Sequence, residues 1–103
     1  MADLNFEHTA VLHALDQDSV QNLIRAGMDH WGMSREQSLA QVKALAEQGL
    51  FRCHEDEAQA GLYTDVPPAM LSLEYLDARP YTWTEPTERT FERWNDIQRQ
   101  LNG

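Results

Sequence analysis

Residues 32–49 contain the signals for a helix start, an apolar helix face and a helix end in the correct order. The segment is GMSREQSLAQVKALAEQG. Gly32 can adopt the left-handed conformation that ends a preceding helix. Ser34 and Gln37 have the spacing of a capping box, which predicts the start of a new helix. Its apolar residues recur at helical spacing: Leu39, Val42, Leu45 and Ala46. Gly49 then ends it, so the segment predicts the second helix of a helix-turn-helix.

Two helical patterns precede this segment. The first extends from Asn5, a good capping residue, to Asp16. The second begins at Asp18 or Ser19 and extends to Trp31. Its apolar face consists of Val20, Leu23, Ile24, Gly27, Met28 and Trp31. Because only the short segment Asp16-Gln17-Asp18 separates the two apolar patterns, residues 5–31 form either two helices or one bent helix.

The chain from Leu50 to Val66 has the pattern of a β-hairpin. Two segments of β-branched or aromatic residues flank a polar tip, and Gly61 permits the turn between them. Pro67 and Pro68 follow directly. Because proline cannot donate a hydrogen bond to a neighbouring strand, they end the hairpin.

The C-terminal part, residues 67–103, predicts one short helix and one long one. The short helix covers Met70 to Leu76, and an aromatic loop follows from Arg79 to Thr84. Thr84 is predicted to cap the last helix, with Pro86 in its first turn. The apolar face of that helix consists of Phe91, Trp94, Ile97 and Leu101. The predicted fold is a single domain, residues 1–103, mainly α with a small β-hairpin.

The segment WGMSREQSLAQVKALAEQGLFR resembles the turn and recognition helix of winged helix-turn-helix regulators, including the MarR-like group. The resemblance covers about residues 18–66, with Gly49 and Leu50 leading into the hairpin, or wing. It implies a winged-helix-like three-helix core, a wing and sequence-specific DNA binding. The residues that would read DNA are Arg35, Gln37, Gln41 and Lys43. Ser38 departs from the family pattern, which usually has an apolar residue there.

The charge opposes this DNA-binding function. Seventeen acidic and eight basic residues give a net charge of −9. Residues 54–77 contain no Lys or Arg but six acids: Glu55, Asp56, Glu57, Asp65, Glu74 and Asp77. Tight DNA binding typically uses about six to ten phosphate contacts by cations. Residues 18–66 hold only Arg25, Arg35, Lys43 and Arg52. Direct nucleic-acid binding is therefore disfavoured.

An acidic surface can either keep a protein soluble or bind a basic partner. The second interpretation predicts a non-catalytic protein-binding module. Such a module would act as an inhibitor or adaptor that occupies a basic, nucleic-acid-binding surface as a mimic of DNA, as small phage-encoded inhibitors do. The six acids of residues 54–77 would contact the partner. Trp83 would be the aromatic anchor, because Trp is frequent among the residues that dominate binding energy. The first interpretation of all four aromatics, Trp31, Tyr81, Trp83 and Trp94, is as core residues, with Trp83 the candidate for an exposed anchor.

Two other functions remain open from the sequence. One is a DNA-binding transcription regulator of the winged-helix type, which could form a homodimer. The other is a subunit of a larger complex.

Nothing in the sequence predicts catalysis. Cys53 and His54 are adjacent, but neighbouring side chains of a strand point to opposite faces, which separates a nucleophile from its base. His8 and His13 are five residues apart and cannot share a metal ion on one helix face. The carboxylates of Glu55 and Glu57 lack a predicted cleft. We therefore expect no enzyme activity, no metal and no cofactor.

Composition also predicts the compartment. The single cysteine, Cys53, excludes an internal disulfide and fits a reducing environment. The longest apolar run near the N-terminus is Ala10-Val11-Leu12, which is far too short for a membrane span or a signal peptide. The expectation is a cytoplasmic protein that does not bind membranes.

Overall fold

The computed structural model describes residues 5–57 and 62–102. Within these residues the chain forms five α-helices and a three-stranded antiparallel sheet. The elements, in chain order, are α1 (Phe6–Leu15), α2 (Val20–Trp31), α3 (Arg35–Glu47), β1 (Phe51–Glu57), β2 (Leu62–Val66), α4 (Leu73–Ala78), β3 (Thr82–Pro86) and α5 (Glu88–Asn102). A 3₁₀ turn, Pro68–Met70, lies between β2 and α4. The prediction of a mainly helical fold with a small hairpin and a C-terminal helix is confirmed.

The chain up to Trp31 forms two helices, not one. The Asn5 side chain accepts a hydrogen bond from the His8 N–H at 3.2 Å and caps α1. Ser19 caps α2 in the same way, accepting from the Asn22 N–H at 3.1 Å. Gln17 lies between the helices with a φ of 52°, in the left-handed region that a continuing helix cannot contain. This residue therefore separates α1 from α2.

The predicted boundaries of α3 are confirmed. The Ser34 Oγ accepts from the Gln37 N–H at 3.1 Å, and the Gln37 Oε1 accepts from the Ser34 N–H at 2.9 Å. Both halves of the capping box are thus formed. Gly32 and Gly49 have φ values of 64° and 79°, which glycine adopts without the steric cost of a Cβ.

The helices α2 and α3 make close contact at Gly27 and Ser38. Ser38 is fully buried, and its hydroxyl donates to the Ile24 carbonyl at 2.8 Å. A Cβ at Gly27 would lie 2.3 Å from the Ser38 Oγ. The serine that departs from the winged-helix pattern is therefore a core residue, small enough to let α3 approach α2 and satisfied by a helix carbonyl.

The sheet has the order β2-β1-β3, so β1 is the central strand. Its pairing with β2 aligns Cys53 with Val66, and its pairing with β3 aligns Cys53 with Thr84. The predicted hairpin of residues 50–66 is confirmed by the first of these pairings. The proposed turn at Gly61 lies outside the described residues.

The prediction of an aromatic loop up to Thr84 and of a helix capped there is wrong. Residues 82–86 form β3, and α5 begins only at Glu88. The Thr84 hydroxyl donates to the Asp18 carbonyl at 2.7 Å instead of capping a helix. Pro86 is the last residue of the strand. Similarly, the short helix predicted for residues 70–76 is shifted: Ser72 caps α4, which covers residues 73–78.

The hydrophobic core lies between the helices and one face of the sheet. It consists of Phe6, Ala10, Val11, Ala14, Val20, Leu23, Ile24, Val42, Leu45, Leu50, Phe51, Cys53, Val66, Leu71, Leu76 and Ile97. All five helices contribute to it, α4 through Leu76 and α5 through Ile97. The predicted apolar faces of α2 and α3 are therefore largely buried, while the other face of the sheet remains for other contacts.

Candidate interaction surface

One face of the sheet carries charged and aromatic residues instead of core residues. Directly paired residues of antiparallel strands share a face, and neighbours along a strand alternate between faces. The register aligns Arg52 with Glu85 and His54 with both Asp65 and Trp83. These five residues, Arg52, His54, Asp65, Trp83 and Glu85, are called the polar sheet face below. The opposite face carries the buried Phe51, Cys53, Val66, Thr82 and Thr84.

Glu85 lies close to both basic residues of the polar sheet face, Arg52 and His54. Its Oε2 lies 3.6 Å from the Arg52 Nη2 and 3.6 Å from the His54 Nδ1. Arg52 is exposed, whereas His54 is buried. Asp65 is exposed on the neighbouring strand and, within the described part of the chain, forms no salt bridge. The face therefore presents Asp65 as an uncompensated negative charge.

Trp83 lies in the middle of β3, not in a loop as the sequence suggested. It pairs with His54 on one side and forms an isolated bridge with Ser19 on the other. Its side chain is half-buried. Tyr81, two residues earlier, is 65% exposed, so its assignment to the core is wrong. Trp31, 37% exposed, is likewise only partly covered. Trp83 thus places an aromatic side chain on the polar sheet face, and the exposed Tyr81 directly precedes β3.

Glu55 is not the free carboxylate that the sequence predicted. Its Oε2 accepts from the Tyr75 hydroxyl at 3.0 Å, and its Oε1 lies 3.1 Å from the Arg79 Nε. The Arg79 guanidinium also lies over the Tyr75 ring, 4.6 Å from its centroid. Burial and the hydrogen bond to Glu55 raise the pKa of Tyr75 above its ordinary value. Glu55 therefore joins β1 to α4 and the segment after it.

Asp77 is also paired within the chain. Its carboxylate accepts two hydrogen bonds from the guanidinium of Arg35, the first residue of α3. The hydrogen bonds from Arg35 lower the pKa of Asp77, and Asp77 raises that of Arg35. Among the remaining predicted contact residues, Glu74 is exposed on α4. The side chains of Asp56 and Glu57 lie outside the described part of the molecule.

The four residues predicted to read DNA are not equally available. Arg35 is paired with Asp77, and Gln37 uses its side-chain oxygen for the capping box of α3. Gln41 is exposed and Lys43 is half-buried. Arg35 and Gln37, the two candidates in the first turn of α3, are therefore already engaged in contacts within the protein.

The surface has many more uncompensated acids than bases. Within the described residues, eight exposed carboxylates form no salt bridge: Asp16, Asp29, Glu36, Glu47, Asp65, Glu74, Glu88 and Glu92. Five of the seven arginines are in salt bridges. In the same part of the chain, the cations that form no salt bridge are Arg25, Lys43 and Arg89. The free surface charge is therefore strongly negative.

Cys53 and His54 point to opposite faces of the sheet. Cys53 is buried in the core, and burial raises the pKa of its thiol to about 12. His54 lies beside Glu85 on the polar sheet face. In α1, His8 accepts from the Asn5 N–H at 3.4 Å, and the His13 Nδ1 lies 3.4 Å from Asp18. No group of three or more His, Cys, Asp or Glu side chains among residues 5–57 and 62–102 is placed to hold a metal ion.

Sequence reasoning missed Glu85 and Arg52 as residues of one sheet face, and it missed the exposure of Tyr81. The signal was present in the segment Thr82-Trp83-Thr84-Glu85. Its first three residues are β-branched or aromatic, and such residues are frequent in strands. Pro86 and the Thr84 cap signal favoured a helix start instead. Because the strand was not predicted, the face that it completes was not predicted either.

No known family, characterised protein or solved structure matches this chain. The resemblance of residues 18–66 to winged helix-turn-helix regulators therefore stays a prediction. No helix in the described residues is long and apolar enough to cross a membrane.

Proposed function

We propose that the protein is a non-catalytic binding module that occupies a basic surface of a partner protein. The observation that carries this proposal is the surface charge: eight exposed carboxylates without a salt bridge against three such cations among the described residues. Complementary charge accelerates encounter with a basic partner and selects against acidic ones. A basic surface of this kind is typical of nucleic-acid-binding proteins, which makes an inhibitor or adaptor the best-supported function.

The polar sheet face is the proposed centre of the contact. It combines the exposed Asp65 with the half-buried Trp83, and the exposed Tyr81 directly precedes β3. Partly covered aromatic residues with charged neighbours are the usual anchors of protein interfaces. Glu74 remains a proposed contact residue on α4. Glu55 and Asp77 contribute less than the sequence suggested, because Arg79 and Arg35 already neutralise them.

The DNA-binding alternative is weaker on the same evidence. The first residues of a recognition helix normally contact the base edges. Here Arg35 is bound by Asp77 and Gln37 by its own capping box. Three cations without a salt bridge in the described residues fall short of the roughly six to ten phosphate contacts of tight DNA binding.

The proposal is tested by charge reversal at two positions. Binding partners are captured from the native host with the natural protein, with Asp65→Lys and with Glu92→Lys. Both variants change the net charge equally, but Glu92 is exposed on α5 and is not one of the five residues of the polar sheet face. We expect the natural protein and Glu92→Lys to capture a basic partner, and Asp65→Lys to fail to capture it. Excess duplex DNA should displace this partner from the natural protein. Equal capture by all three proteins, or partners that are not basic, would contradict the proposal.

A further inference from the structure

A shallow groove of about 180 Å³ lies at the end of β2, next to the C-terminal end of α3. Its apolar lining consists of Ala46, Phe51, Cys53, Val66, Pro67 and Pro68. Arg52 and Asp65 complete the lining. Arg52 is paired with Glu85, whereas Asp65 has no cationic partner in the described chain. The groove, called the β2 groove below, therefore combines an apolar lining with one free negative charge.

The strand beside the β2 groove has an open edge. β2 pairs with β1 on one side, and no described residue pairs with its other side. An edge strand offers unpaired backbone N–H and C=O groups to another strand. Val66 belongs both to this edge strand and to the groove, and Pro67 and Pro68 end the strand there. A strand added along β2 would therefore end at Val66, which also lines the groove.

The two faces of the sheet fix the chemistry of such an added strand. Val66 and Asp65 are neighbours and point to opposite faces: Val66 lies in the core, and Asp65 is exposed on the polar sheet face. Side chains of an added strand alternate in the same way. One set would enter the apolar groove beside Val66, and the other set would lie beside Asp65. The volume suits a single aliphatic side chain, and the free carboxylate suits Lys or Arg.

We propose that the free edge of β2 and the β2 groove bind an extended segment of the partner in which aliphatic and basic residues alternate. This proposal rests on the proposed function, because the partner of that function must be basic. Backbone hydrogen bonds along β2 would hold the segment, and the groove would select its aliphatic residue, as in other cases of strand addition. Asp65 would select the adjacent Lys or Arg.

The probe is a blocked hexapeptide of alternating Lys and Leu, and the control peptide has Ser in place of Leu. Backbone amide shifts are followed by NMR during titration of the full chain. We expect the Lys–Leu peptide to shift Ala46, Thr64, Asp65 and Val66, and the Lys–Ser peptide to bind at least about tenfold more weakly, a factor that corresponds to about 1.4 kcal/mol. Shifts confined to other surfaces, or equal affinities of the two peptides, would overturn the proposal.

Two variants separate this inference from the proposed function. Ala46→Leu fills the groove, and Ala40→Leu adds the same atoms at an exposed position of α3 outside the groove. Of these two variants, only Ala46→Leu should weaken the binding of the Lys–Leu peptide. Asp65→Lys should weaken the binding of both peptides. If Ala46→Leu, shown by thermal unfolding to be folded, binds as tightly as the natural protein, the groove inference fails but a basic partner remains supported. If neither peptide binds at all, the groove inference fails, whereas the proposed function is decided by the capture experiment with Asp65→Lys and Glu92→Lys.

Discussion

The guanidinium of Arg35, the first residue of α3, is hydrogen bonded to the carboxylate of Asp77 in α4. The two residues are 42 positions apart in the chain. The pair neutralises the cation at the start of the helix that resembles a recognition helix. It also places α4 beside that helix end. The same pair therefore removes one candidate for DNA reading and one candidate for contact with a basic partner.

We predict no sequence-specific duplex binding at about 0.15 M salt, because the cations left without salt bridges are too few. Selection from a random duplex library, followed by mobility-shift measurements, checks this. Asp77→Asn is the informative variant, since it frees Arg35 and removes one negative charge. This variant should bind duplex DNA somewhat more tightly, in a salt-sensitive way and without preference for any sequence. A selected duplex that the natural protein binds specifically, and that Gln41→Ala no longer binds, would support the transcription-regulator alternative.

The pairing of Asp77 also predicts a small dependence of stability on pH. Its pKa is lowered in the folded protein, so folding favours the ionised carboxylate. The stabilisation is present above the ordinary pKa of an aspartate, about 3.9, and is lost as the pH falls through the lower folded value. Because both partners are solvent-exposed, the effect should be small. Denaturant unfolding of the natural protein and of Asp77→Asn should converge as the pH falls towards 2; curves that diverge there would contradict the assignment.

The contact between Gly27 and Ser38 predicts coupling between two substitutions. In an exposed helix, Gly→Ala would stabilise by about 1 kcal/mol. Here the added Cβ would meet the Ser38 Oγ at 2.3 Å, and overpacking usually costs about 1–3 kcal/mol. Gly27→Ala should therefore destabilise. Ser38→Ala removes the obstructing hydroxyl, so Gly27→Ala should cost clearly less in that background. A double-mutant cycle by denaturant unfolding measures this, and additive effects would contradict the packing.

The local signals of the sequence predicted α1, α2 and α3 well, because the atoms involved are close in the chain. Ser34 and Gln37 are only three positions apart, and both hydrogen bonds of their capping box are local. Thr84 shows the limit of this reasoning. Its neighbours fit a helix cap, but its hydroxyl bonds to the Asp18 carbonyl, 66 positions away. Only the tertiary fold decides between these two partners for one hydroxyl group.

The candidate site was predicted less well for the same reason. The charge of residues 54–77 was visible in the sequence, but the partners of Glu55 and Asp77 were not. Arg79, which follows α4, and Arg35, which begins α3, reach these carboxylates from distant parts of the chain. The exposed Asp65 and the strand position of Trp83 follow from the register of three strands, one of which was predicted as a loop.

The cluster of Glu55, Tyr75 and Arg79 predicts a tyrosine titration. Burial and the hydrogen bond to Glu55 raise the pKa of Tyr75, so the folded protein disfavours the phenolate. Stability should fall as the pH rises above about 10, where the unfolded chain loses this proton first. When tyrosinate formation is followed by ultraviolet absorbance, the component that titrates at the highest pH should be absent in Tyr75→Phe. Glu55→Gln keeps an acceptor but removes the charge, and should shift that component to lower pH. An unchanged titration in Glu55→Gln would contradict the contact.

Cys53 provides a direct measure of unfolding. Its thiol is buried in the central strand, and this burial raises its pKa from an ordinary value of 9.0 to about 12. Because the thiolate is the reactive form, alkylation of the folded protein near pH 8 should be very slow. Urea should accelerate alkylation in parallel with the loss of helical circular dichroism. The raised pKa also means that stability decreases between about pH 9 and 12. Rapid, complete alkylation without denaturant would contradict the burial of this strand.

The measurement that tests the central proposal most directly is the salt dependence of binding to the partner protein. Raising the salt from about 0.1 M to 1 M shortens the screening length from about 10 Å to about 3 Å. We predict that association slows strongly over this range, and that Asp65→Lys slows association at low salt whereas the matched Glu92→Lys does not. Trp83→Ala should instead accelerate dissociation, as the loss of an anchor does. Association rates that do not change with salt, and that are equal for Asp65→Lys and the natural protein, would contradict an electrostatic role for the acidic surface.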